Sequence, residues 1–183
     1  MPKIYLSPSV QDYNPTILGV SEEYLMNLVA DAMIPYLDAS GIEYVRNSPN
    51  ATLAQVISQS NAGSYDLHLS LHSNAAPDNL IGILRGPDIY YYSYSDTGAM
   101  ASYIFADNLK AIYPNPDLVT VIPTTTLAEL SRTRATAVLV ELAYHDEIND
   151  ASWIYDNLDL IARNLVLSLT EYFGIVFVNP FEY

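Results

Sequence analysis

The chain of 183 residues contains no cysteine. Disulfides and thiolate metal ligands are therefore both excluded, and any metal has to be held by His, Asp, Glu or weaker oxygen donors. Histidine is itself scarce, with three in the chain: His68, His72 and His145. Positive charge is scarce too, because seven Lys and Arg stand against 21 Asp and Glu for a formal net charge of −14. Binding a polyanion requires several phosphates to be neutralised, so nucleic acid is not an expected partner. No run of about 18 apolar residues exists to span a bilayer. The opening "MPKIYLSPSV" has neither the basic start nor the apolar core of a secretory signal.

Half of the residues are hydrophobic, enough at this length for one sizeable core, and the whole chain, 1–183, is expected to form a single domain. Sixteen tyrosines offer flat apolar faces with polar tips, suited to sugars or peptides. "IYYYSY" at 89–94, however, alternates as a half-buried strand should.

"KIYL" (3–6) reads as a first strand ending at Ser-Pro. From Ser21, the positions Leu25, Leu28, Val29, Ala32, Met33, Tyr36 and Leu37 follow helical spacing up to Gly41, with a kink expected at Pro35. "IEYVR" is a second strand, and 51–62 a second helix with Leu53, Val56 and Ile57 inward. "DLHLSLHSNA" (66–75) is a third strand running into a polar loop, with another strand near 88–94 and a helix over 97–113. "TAVLVELA" (136–143) is continuous and apolar, as in a strand covered on both faces. A last helix carries Ile154, Leu158, Ile161, Ala162, Leu165, Leu169 and Tyr172 on one stripe, capped by Asn149 or Asp150, and "GIVFV" is a final short strand. Strands alternating with helices predict an α/β fold, an open and mostly parallel sheet with helices on both faces. Ligands in such sheets gather beyond the carboxyl ends of the strands.

Four residues fall on that edge: Glu23 opening the first helix, His72 ending the third strand, Glu141 ending "AVLVE", and His145 four residues further on. Two imidazoles and two carboxylates suit a catalytic zinc: three protein ligands, an open position for water, and a carboxylate to take that water's proton. His68 shares a face with His72, but four residues of strand separate them by roughly 13 Å, so it reads as a core histidine.

The segment "LHLSLHSNA" resembles the Ser-Ile-His-x-Asn-Ala motif of zinc-dependent N-acetylmuramoyl-L-alanine amidases of the amidase-3 type. "SEEYLMNLVA" is similar to their Glu-x-x-x-Asn-Leu helix start, matched by Glu23, Asn27 and Leu28, and "TAVLVELAYHDEINDASWI" to their Pro-Ala-Val-Leu-Val-Glu strand. The resemblance implies Zn2+ as cofactor, Glu23 and His72 as ligands, Glu141 as the catalytic carboxylate, and peptidoglycan muramyl peptide as substrate. It departs at one point: where the family has an Asp-Pro-Gly-His loop, this chain reads "LSPSVQD", and Val10 takes the histidine's place. A replacement third ligand could come from His145, Gln11, Asp12 or His68. His145 is the expected third ligand, because it keeps the two-imidazole, one-carboxylate set and needs only a loop to turn inward. Glu22 rivals Glu23, since either could be a helix-start charge favoured by the macrodipole. The enzyme expected is an amidase cutting the muramic acid–alanine amide at the cell wall, as a phage lysin, a sporulation enzyme or a domain trimmed from a longer protein. The rival is a degenerate amidase fold that has lost zinc and binds peptidoglycan or a protein.

Overall fold

The computed structural model describes residues 1–182. Six strands form one sheet in the order β2-β1-β3-β6-β4-β5. They are β1 (Lys3–Pro8), β2 (Glu43–Arg46), β3 (Leu67–Asn74), β4 (Asp88–Tyr92), β5 (Thr120–Thr124) and β6 (Thr136–Tyr144). The β1–β2, β1–β3, β3–β6 and β4–β5 pairs are parallel, while β4 runs antiparallel to β6. The α/β, mostly parallel open sheet expected from the sequence is the one observed. Helices α1 (Glu22–Ala39), α2 (Leu53–Ala62), α3 (Asp96–Lys110), α4 (Ala128–Ser131), α5 (Ile148–Asp156) and α6 (Leu158–Phe173) surround it.

The two faces of the sheet differ because the strands alternate. Ile4 and Leu6, then Leu67, Leu69 and Leu71, then Val138, Val140 and Leu142 point into one large cluster with α1, α3 and α6. Each such buried aliphatic side chain contributes about 1.5–3 kcal/mol relative to exposure. The intervening positions, Ser7, His68, Ser70, His72 and Glu141, form a polar opposite face. A small cluster of Leu130, Ala137 and Leu139 is its main apolar patch. Among the described residues the short α2 and α4 cover this side, and His68 meets Ser60 of α2 through a 2.9 Å hydrogen bond.

Helix α1 is capped by Ser21, whose hydroxyl accepts from the Tyr24 N–H, and it continues through Pro35 to Ala39. Four local expectations are corrected. The long C-terminal helix is two helices broken at Asn157, and the cap of α5 is Glu147, whose carboxylate accepts from the Asp150 N–H. "GIVFV" is not a strand: Gly174 closes α6 in the left-handed region at φ 65°, and Ile175 and Phe177 pack on the core without a ladder partner. Leu53 is 46 % exposed at the start of α2, because the inward face of that helix runs through Val56 and Ser60.

Candidate active site

A cleft of about 860 Å³ lies at the carboxyl ends of β1, β3 and β6. Its rim is the loop 10–13 after β1 and the segment 49–53 leading into α2, and its floor includes His72, Glu129, Leu139 and Glu141. The polar face of the sheet delivers these groups: β3 and β6 are in parallel register with His72 beside Glu141, and β4 places Asp88 beside Glu141 from the other side.

His72 is held on both ring nitrogens. Nδ1 lies 2.8 Å from Glu22 Oε1 and Nε2 lies 3.3 Å from Glu129 Oε1. Glu22 is 1 % exposed and its other oxygen accepts from Asn14 Nδ2 at 2.8 Å. The second oxygen of Glu129 accepts from Ser7 Oγ at 2.6 Å, Ser70 Oγ at 2.8 Å and His68 Nε2 at 2.8 Å. His68 in turn is fixed by Ser60 and stacks on Tyr5 with centroids 5.2 Å apart.

These contacts decide the charges. Burial opposes the ionised form of Glu129, but hydrogen bonds from His68 and His72 overcome it and hold the carboxyl well below its usual range. Burial likewise opposes a charged His72, and hydrogen bonding to Glu129 and Glu22 outweighs it, raising the imidazole well above its ordinary value. Glu22 is lowered against its own burial by His72 and Asn14. Glu141 goes the other way. Burial pushes it up to about 7; the nearby His72 draws it back, while Glu22, Asp88 and Glu129 repel its charge. Its Oε2 is buried without a hydrogen-bond partner. Asp88 is also raised by burial, although Thr120, Tyr144 and Asn74 donate to it.

Of the residues singled out in the sequence, His72 and Glu141 are brought together on the cleft floor. Glu23 sits on the rim, accepting from Asn27 Nδ2 at 3.0 Å, and its neighbour Glu22 makes the contact with His72. The reason is helical phase: Glu22 shares its side of α1 with the buried Leu25, Met26 and Val29. His145 is not at the cleft. It is 1 % exposed, and its Nδ1 lies 2.8 Å from Ser73 Oγ, a residue that alternates with His72 along β3. Gln11 and Asp12 line the rim together with Val10. His68 lies beneath the floor and shares the Glu129 carboxylate with His72, the two imidazoles taking different oxygens.

Glu129 was missed by sequence reasoning, and no local pattern marks it, since it sits on a one-turn helix in a polar stretch. Glu22 was legible from the apolar phase of α1. A zinc site of the three-ligand kind is not completed here. Val10 offers no donor, Glu22 and Glu129 approach opposite nitrogens of one ring, and among the described residues no group of three or more His, Asp or Glu side chains converges to hold a metal.

A family model described as N-acetylmuramoyl-L-alanine amidase matches residues 10–171. No curated protein sequence matches the chain. Among solved structures, it is similar to the N-acetylmuramoyl-L-alanine amidase AmiC2 of Nostoc punctiforme, with TM-score 0.81 and 14% identity, covering 94% of this chain and 97% of that one. The catalytic domain of the amidase CwlV from Paenibacillus polymyxa var. colistinus gives TM-score 0.81 at 14% identity, covering 96% and 100%. The catalytic domain of the CD27L endolysin targeting Clostridia difficile gives 0.78 at 20% identity, covering 98% and 100%. At these identities the likeness is one of fold.

Proposed function

From the premise that this chain belongs to the N-acetylmuramoyl-L-alanine amidase family, we propose that it hydrolyses the amide between N-acetylmuramic acid and L-alanine in peptidoglycan, with Glu141 as the proton carrier. One observation carries the reading: Glu141 is a carboxyl on the cleft floor, raised to about 7, with its Oε2 unpartnered. A carboxyl near 7 can take a proton from an attacking water and return it to the departing alanine nitrogen at neutral pH. His72 lies beside Glu141 across the β3–β6 register and, with its imidazole raised well above its ordinary value, brings positive charge to the cleft floor, where negative charge builds on the carbonyl oxygen in the tetrahedral state. The residues present do not complete the family's zinc set, and in this reading the chain's own side chains carry these steps.

The proposed substrate puts the site of action at the cell wall. Digestion of purified peptidoglycan by the wild-type chain and by Glu141→Gln, read by mass spectrometry of the products, tests the reading. Stem peptides with a free alanine amino terminus are expected from the wild type and not from the variant. Products from both at the same rate would overturn it. The absence of a donor at Val10 favours a second reading, a peptidoglycan-binding domain without turnover. Retention of the protein on insoluble peptidoglycan with no product from the wild type would support that one.

A further inference from the structure

The cluster under the cleft differs from a three-ligand metal site in a way that has its own logic. A metal-ligating imidazole gives its remaining N–H to a carboxylate or carbonyl and keeps a lone pair for the ion on the other nitrogen. Glu129 on Nε2 would suit that arrangement. The other nitrogen decides the matter: Nδ1 lies 2.8 Å from Glu22 Oε1, a hydrogen-bond distance. An ionised carboxylate can only accept, so each of the two contacts needs an N–H from the ring, which then has no lone pair left.

The surroundings fit a closed ion-pair chain. Glu129 is anchored from below by Ser7, Ser70 and His68, and Glu22 is anchored from the side by Asn14. Val10 contributes an aliphatic side chain at the cleft wall, where the resemblance in sequence places a histidine. A zinc ion entering between Glu22 and His72 would find two protein donors where a catalytic site supplies three. It would also have to displace a short charge-assisted hydrogen bond.

We infer that the hydrogen-bonded chain Glu22–His72–Glu129 takes the place of a zinc ion in this protein, with Glu129 as the positioning residue of the His72 ring. The two carboxylates and the imidazole orient one another through these hydrogen bonds, and the centre is built without a metal. This inference is independent of turnover, because it holds whether the cleft hydrolyses peptidoglycan or only binds it.

The test reads metal and not activity. The 183-residue chain, purified without chelator, is analysed for zinc, then titrated with zinc chloride by calorimetry while the His72 ring resonances are followed by NMR. The expected result is zinc at the background level of a His72→Ala control, no saturable binding at micromolar zinc, and no zinc-induced movement of the His72 signals. The thermal midpoint is expected to be the same with EDTA and with zinc. One zinc per chain that is lost in His72→Ala would overturn the inference. If that variant does not fold, the wild-type spectra decide alone, since displacement of the His72 Nδ1 resonance by stoichiometric zinc is sufficient to refute it.

Discussion

Replacing Glu141 by Gln should stabilise the protein at alkaline pH while abolishing its proposed activity. The Glu141 carboxyl rises from 4.5 to about 7 in the fold, chiefly through burial. Between those values the folded state keeps a proton that the unfolded state has lost. Stability from this group is therefore fully present below about 4.5 and falls as pH rises through about 7. At about 1.36 kcal/mol per decade, ionising Glu141 in the fold at pH 8 costs about 3 kcal/mol. Gln has nearly the same shape and no charge to desolvate, so Glu141→Gln should regain up to about that amount at pH 8 and almost nothing at pH 4. For a chain of this size, that is a rise in Tm of about 6–12 °C at pH 8. Urea unfolding of both proteins at pH 4, 6 and 8 measures the difference directly. A variant equal to or weaker than the wild type at pH 8 would show that Glu141 is not held in a charge-opposing site.

Glu129→Ala removes one acceptor from two serine hydroxyls and two imidazoles, and urea unfolding should record a loss of about 3–5 kcal/mol, as for other buried ion pairs deprived of one partner. Glu22→Gln should shift the His72 ring signals in NMR, whereas Glu23→Gln, at the rim, should leave them in place. Asp150→Ala should cost about 3 kcal/mol or more in thermal unfolding without moving the His72 signals. That carboxylate is fully buried under the Gly86 N–H, the Tyr144 N–H and the Tyr113 hydroxyl and does not line the cleft. Peptidoglycan hydrolysis should rise with pH through about 7 as Glu141 becomes a base, and a rate that falls over that range would contradict its role.

The parts of this site that local pattern governs were legible in the sequence. Strands β3 and β6 announce themselves by apolar alternation and by an unbroken apolar run, and His72 and Glu141 follow as the polar residues at their ends. Glu22 was also within reach. A motif match favoured Glu23, but Leu25, Met26 and Val29 set the phase of α1, and burial follows phase. What escaped depended on tertiary contact. Glu129 acquires its meaning only when α4 folds over the polar face of the sheet, and neither α4 nor β5 stands out in the polar stretch around it. The strand spacing between His68 and His72 argued against a shared ion, yet two oxygens of one carboxylate serve both rings. His145 lies close to Glu141 in sequence, but the chain buries it against Ser73.

The most direct measurement is hydrolysis of a muramyl-L-alanyl peptide in oxygen-18 water by the wild type and by Glu141→Gln. Label entering the lactyl carboxylate of muramic acid with the wild type, and none with the variant, is the expected result. Binding without label, or equal labelling by both proteins, would contradict the assignment of Glu141 as the group that delivers water to the amide.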